Sequence, residues 1–228
     1  MTPDPEKAGP QTADGPSVPE YPSISARLRS ATAVAHERAE HAPFIDDLMS
    51  GRLDTGEYQR LAIQLYFVYE ALERVGAELA GDPVADAVLD PKLLRLQRLG
   101  ADLASFGIDP SRETPLPAVR RYVTAIESTR ADPARYVAHH YTRYLGDLSG
   151  GQVVAHRMRE HYGVDDDALS FYSFDEIDKL KRYKDAYRAR LDALPLDADG
   201  IDRLVDEAVA AFDHNQAVFG DLDGARAA

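Results

Sequence analysis

Residues 141–152 read YTRYLGDLSGGQ, and three glycines, Gly146, Gly150 and Gly151, interrupt a pattern that is otherwise strongly helical. Interior glycines cost a helix about 1 kcal/mol each relative to alanine, so this stretch gives up roughly 3 kcal/mol. Gly146 and Gly150 are four residues apart and share a face, which lets something flat or bulky approach the backbone there. On the glycines alone, close helix packing or a helix end at Gly150-Gly151 is the simpler account. Asp147 changes the weighting, because it sets a carboxylate beside the bare strip, one turn after Arg143. Inside a helical domain such a carboxylate is costly unless it is paired or used.

Working outward, apolar residues recur at helical spacing, as in Leu61, Leu65, Val68 and Leu72, and in Leu96, Leu99 and Leu103. No segment alternates with period two. Acidic residues before prolines mark helix starts at Asp90-Pro91 and Asp132-Pro133. The pattern predicts helices near 24–40, 55–80, 90–106, 116–130, 133–161, 175–194 and 198–219. An all-α fold follows, as one compact domain over 23–220. Residues 1–22 hold six prolines and little apolar surface, so a disordered extension is expected there, with a flexible tail over 221–228.

Composition removes several classes of function. A formal charge of −13 with no long basic stretch argues against general nucleic-acid binding. No cysteine is present, which excludes thiolate ligands, disulfides, Fe–S clusters and thiol nucleophiles. No apolar run approaches a membrane span and the N-terminus does not read as a signal peptide, so a cytoplasmic protein is expected.

Metal chemistry then falls to histidine or carboxylates. His36 lies in ATAVAHERAEHAPF, with Leu28, Ala31 and Ala35 around it on the helix and Glu40 one turn later. A carboxylate at that spacing can orient an imidazole ligand, although a surface pair or a satisfied core histidine is the plainer reading. His41, His139, His140, His156, His161 and His214 have weaker claims. In KLKRYKDAYRAR, residues 179–190, Lys181, Lys184 and Arg188 share one face, either as a solvated surface or as a site for an anion.

With these segments side by side, the chain resembles the haem oxygenases. RYLGDLSGGQ is similar to that family's distal-helix signature and HERAE to its proximal-histidine segment, with similarity from about Ser25 to Phe219. The resemblance implies an all-α fold with haem held between a proximal helix and a glycine-containing distal helix. It makes His36 the axial iron ligand with Glu40 behind it, Gly146 and Gly150 the distal backbone strip, and Asp147 the holder of a distal water network. Tyr69 and Arg143 become partners of that network, Tyr141 a pocket tyrosine, and Phe212 a pocket wall. Lys184, Arg188 and Arg29 would receive the propionates, with Arg29 standing where lysine is the more usual residue; arginine keeps the charge but changes the donor geometry.

The activity implied is oxidative cleavage of haem b to biliverdin, CO and ferrous iron, with haem as both substrate and prosthetic group. O2 is consumed, and a separate reductase or ferredoxin supplies the electrons, since no nicotinamide or flavin fingerprint occurs. The C-terminus, DLDGARAA, is not an apolar anchor, so a form free of the membrane is expected. Two rivals stand beside this reading. A haem carrier without turnover would not require the carboxylate of Asp147. A ferritin-like di-iron enzyme would use Glu-x-x-His pairs, and no glutamate here has a histidine three residues later. A helical enzyme of the thiaminase kind that works through cysteine is excluded by composition.

Overall fold

A computed structural model describes residues 22–226, and among these every regular element is helical. The ten α-helices are α1 (Ile24–Glu40), α2 (Pro43–Met49), α3 (Thr55–Glu78), α4 (Pro83–Asp86), α5 (Leu96–Ser105), α6 (Pro117–Ser128), α7 (Pro133–His140), α8 (Gly146–Tyr162), α9 (Leu180–Asp192) and α10 (Ala198–Arg226). Starts follow local chemistry. Ser23 caps α1 by accepting from Ala26 N, and Asp54 caps α3 by accepting from Glu57 N. Prolines open α2, α6 and α7, where no backbone donor is needed. α8 stops at Gly163, whose φ of 61° is the left-handed conformation that favours glycine at a helix end.

α10 is the spine, with α1, α6, α7 and α2 packed around it. Along α3, Leu61, Leu65, Val68 and Leu72 are all buried, as their spacing predicts. α7 is pinned to α10 by charge: the buried His139 meets Glu207 Oε1 through Nε2 at 2.8 Å, and Arg135 Nε donates to Oε2 at 2.7 Å. Burial pushes the Glu207 carboxyl up, but His139 and Arg135 outweigh it and hold its pKa at about 2. A pKa below the unfolded value means stability that is full above about pH 4.5 and is lost as pH falls toward 2. Glu207→Gln is therefore expected to cost about 2 kcal/mol at neutral pH. Melting curves from pH 7 down to 3 should show the gap to wild type closing as the medium acidifies.

The structure departs from the predicted boundaries at several points. α2 and α4 were not expected, because one or two turns are too short to show a periodicity. The helix predicted from 90 is broken: a single 3-10 turn over Pro91–Leu93 precedes α5, and Glu73 captures the amides of Arg95 and Leu96 at the break. Asp90 does cap, accepting from Lys92 N, whereas Asp132 makes no side-chain cap and instead pairs with Arg203 at 2.9 Å. α9 begins at Leu180 instead of 175. α10 continues past 219 to Arg226, with Leu222 fully buried and Arg226 paired to Asp47, so residues 221–226 are helix where a flexible tail was expected. The expected disordered extension, apart from Pro22, lies outside the described residues.

The predicted helix 133–161 is realised as α7 and α8 joined by a wider π-type turn over Tyr141–Leu145. Such a turn inserts a residue into the helix and redirects the side chains that follow; such turns are frequent at functional sites. Here it lies immediately before Gly146 and carries Tyr141 and Arg143.

Candidate active site

α1 packs on α10, α9 and α2, while α8 packs on the π turn, the 170–172 turn and α2, so the two helices share neighbours without packing extensively on one another. Each presents an open face. His36 is half exposed on α1, and its Nδ1 lies 3.4 Å from Glu40 Oε2, which leaves Nε2 as the ring nitrogen available to a ligand. Gly146 and Gly150 are exposed on α8, and a Cβ built on either meets nothing within 4 Å. Gly151 is different, since a Cβ there would come within 3.2 Å of Tyr172 Cδ1. Close packing therefore explains Gly151 alone, and the other two leave bare backbone facing open space.

Three side chains meet beside this strip. Tyr69 donates its hydroxyl hydrogen to Asp147 Oδ2 and accepts from Arg143 Nε at 3.2 Å and Nη2 at 3.0 Å. Arg143 Nη2 also lies 3.6 Å from Asp147 Oδ1, and Nη1 donates to Asn215 Oδ1 at 3.0 Å. Burial pushes the Asp147 carboxyl above the usual aspartate range, opposed by Arg143 and by the Tyr69 hydrogen bond. Burial likewise raises the Tyr69 phenol, keeping it neutral and a donor. Burial works against the Arg143 charge, but Tyr69 and Asp147 outweigh it and the guanidinium stays charged. The result is a buried carboxylate of raised proton affinity, held at a fixed angle next to exposed backbone.

α10 joins the two faces. The Phe212 ring lies 5.5 Å from the His36 ring, and Asn215, three residues on, holds Arg143. Asn215 went unnoticed in the sequence reading, although its i+3 relation to Phe212 placed it on the same helical face. At the edge, burial raises the Tyr141 phenol, opposed by a hydrogen bond with Thr32 and by the charges of Arg188 and Arg29. α9 spans this edge: Lys184 Nζ donates to Ser149 Oγ on α8 at 3.3 Å, and Asp192 Oδ1 accepts from Ser25 N on α1 at 2.7 Å. Arg188 pairs with Asp185 at 3.1 Å, and Lys181, at 90% exposure, pairs with the same carboxylate. The solvated-surface reading thus holds for Lys181.

The remaining histidines serve structure or surface. His140 is buried, donates to or accepts from the Tyr187 hydroxyl through Nδ1 at 2.8 Å, and has its pKa lowered to about 3 by burial. His139 belongs to the Glu207 contact, and His214 stacks on Tyr122. Among the described residues no three His, Asp or Glu side chains converge as a metal cage, so the di-iron alternative finds no ligand set there.

The bare strip gives a test with opposite signs. Gly150→Ala should stabilise the protein without ligand by up to about 1 kcal/mol, because helix propensity rises and no contact is strained. It should at the same time weaken whatever binds flush against that face. Gly151→Ala should destabilise, since Tyr172 is buried and has little room to give. Thermal melts of the two variants decide between packing and binding roles.

Comparison with known proteins bears on the family and the fold. The family model described as heme oxygenase matches residues 22–221. Heme oxygenase 1 of Synechocystis sp. is 35% identical over 205 residues, which cover 89% of this chain and 85% of that protein. Heme oxygenase of Guillardia theta is 33% identical, covering 88% and 86%. The crystal structure of Synechocystis heme oxygenase-1 in complex with heme superposes with a TM-score of 0.84 at 34% identity, over 90% of this chain and 94% of that one. A TenA homologue from P. horikoshii shares the fold alone, at 14% identity and a TM-score of 0.66. A family model that matches nearly the whole described chain, and relatives about a third identical over most of both lengths, place this protein in the haem oxygenase family.

Proposed function

We propose that this protein is a haem oxygenase that converts haem b to biliverdin, CO and ferrous iron, using O2 and electrons from a separate reductase or ferredoxin. The observation that carries this reading is the Tyr69–Arg143–Asp147 group beside the open Gly146–Gly150 strip, joined through α10 to an exposed His36. These residues fit a haem. Bare backbone accepts a flat ring, and an imidazole with Nδ1 occupied by Glu40 has Nε2 free for iron. When bound, haem supplies both the iron at which O2 is reduced and the ring that is oxidised.

The chain's own residues do the rest. His36 would hold the iron through Nε2, with Glu40 orienting the imidazole. A histidine ligand supplies less electron density to iron than a thiolate, so the residues of α8 would decide the outcome. Gly146 and Gly150 would let backbone approach a bound ring, where any larger side chain would stand off. Burial raises the proton affinity of the Asp147 carboxyl above that of an ordinary aspartate, and the group can order water at its outer oxygen. Tyr69 and Arg143 fix its angle, and Asn215 fixes Arg143. Arg29 and Arg188, whose charges act on Tyr141, and Lys184, beside Ser149, are the cations for the propionates, with Arg188 exchanging Asp185 for the ligand. Phe212 walls the side next to His36.

No helix among the described residues is long and apolar enough to cross a membrane. A cytoplasmic setting fits the need for a reductase fed by NAD(P)H. The test is to add haem to the purified protein, record the visible spectrum, and then supply a reductase or ascorbate with O2. A histidine-ligated spectrum followed by biliverdin absorbance is expected. A stable haem spectrum with no biliverdin would instead identify a haem carrier.

A further inference from the structure

Outside the residues above, Arg95 is a charged side chain held in the core. It is 2% exposed, and among the described residues no carboxylate lies within ion-pair distance of it. All its donors go to backbone carbonyls: Nε to Leu93 at 3.0 Å and Leu94 at 2.8 Å, Nη2 to Lys92 at 3.0 Å, and Nη1 to Phe171 at 3.3 Å and to Ser173. Its guanidinium carbon sits 4.0 Å from the centre of the Phe174 ring. A buried cation with no direct ion pair, its charge met only at a distance by Glu73 and Asp147, is expensive to keep, and a methionine would fill similar space at less cost.

The carbonyls of Phe171 and Ser173 belong to the connection between α8 and α9, which is gripped from its amide side as well. Asp102, 1% exposed, accepts from Ser170 N at 2.9 Å and Phe171 N at 2.8 Å, and from the Ser170 hydroxyl. Arg98 adds an outer contact, to Asp175 at 3.1 Å. Arg95, Arg98 and Asp102 stand at i, i+3 and i+7, so one face of α5 holds this segment.

What the segment carries is the site. The Phe171 ring meets the Tyr69 ring edge-on at 5.2 Å. Tyr172 packs on Gly151, and its carbonyl accepts from Gln152 Nε2 at 3.1 Å. From the other side Glu73, one turn after Tyr69, accepts the Arg95 and Leu96 amides and the Tyr144 hydroxyl, and Tyr144 also meets Tyr69 edge-on.

We propose that Arg95 and Asp102 are positioning residues for the distal group. By clamping residues 170–174 they hold Phe171 against Tyr69 and Tyr172 against the distal helix, and so set where the Tyr69–Asp147 hydrogen bond stands relative to the glycine strip. The proposal rests on the functional reading above. The Arg95 charge also favours the ionised form of Asp147 at a distance, against the burial that raises its pKa.

The test reads the pH midpoint of the acid-to-alkaline change in the visible spectrum of the ferric haem complex. A carboxylate near the open face of the iron opposes loss of a proton there, so Asp147→Asn should lower the midpoint. Arg95→Lys keeps the charge but loses the fork that spans several carbonyls, and Phe171→Leu keeps the clamp but loses the contact with Tyr69. Both are expected to lower the midpoint by about half a pH unit or more, and to reduce kcat for biliverdin with haem affinity little changed. If Arg95→Lys does not fold, Phe171→Leu decides alone. Midpoints within about 0.1 unit of wild type in folded, haem-loaded variants, alongside a shifted Asp147→Asn, would leave the clamp a purely structural device and overturn the proposal. A wild-type midpoint that ignores Asp147→Asn would overturn the functional reading, and this inference with it.

Discussion

Asp147→Asn is expected to bind haem with nearly the wild-type affinity and to lose ring opening. The carboxylate lies outside the set of groups proposed to hold the ligand, because His36 takes the iron and the cations of α1 and α9 take the propionates. What the substitution removes is an acceptor of raised proton affinity whose angle Tyr69 and Arg143 fix. Positioned acid–base groups contribute about 10²- to 10⁴-fold to rate, so biliverdin formation should fall by at least two orders of magnitude. With the distal carboxylate gone, hydrogen peroxide should be diverted into oxidation of an added phenol. The assay compares biliverdin yield with phenol oxidation when the ferric complex receives peroxide. If Asp147 only supported α8 through Arg143 and Tyr69, the substitution would cost stability, about 1–3 kcal/mol for a buried charge-assisted hydrogen bond, and leave the chemistry intact. Wild-type biliverdin yield from the folded, haem-loaded variant would remove Asp147 from the mechanism.

His36→Ala should abolish turnover without harming the fold. α1 is held by Ile24, Leu28, Thr32, Ala35 and Ala39, all on its buried face, while His36 is half exposed, beside Glu40 and Phe212. Alanine at an exposed helical position adds propensity, so the melting temperature should stay level or rise slightly. The haem spectrum should lose its histidine-ligated form, and imidazole added in solution should restore it by entering the space beside Phe212. Glu40→Gln should be milder, on the order of tenfold, as is usual for a group that orients a ligand without touching the metal. An unchanged ligand-field spectrum in His36→Ala without imidazole would pass the role to another residue.

The two variants separate the contributions of sequence and fold to the site. The glycines and Asp147 were legible because they broke a local rule, glycines inside a helix with a carboxylate between them; His36 with Glu40 broke none, and the resemblance to the haem oxygenases lifted it above a plain surface pair. The helices were legible for the opposite reason, since Leu61 to Leu72 and Leu96 to Leu103 obey a period that only a helix satisfies. Glycine spacing alone could not separate packing from access. The packing that places Tyr172 over Gly151 and nothing over Gly146 and Gly150 decided it.

By itself, then, the sequence determined an all-α chain, the positions of its long helices, and the His36 and Gly146–Gly150 segments. These depend on propensities and spacings within one helix, where interacting residues are never more than a few positions apart. Only the tertiary structure decided that Asn215 holds Arg143 across 72 residues, that Arg95, at the start of α5, turns inward to carbonyls 76 and 78 residues away, and that α10 runs on to Arg226. Those contacts join partners with no fixed sequence separation. Burial removes water as the alternative partner for each polar group, and the groups that can replace it are known only once the helices have packed.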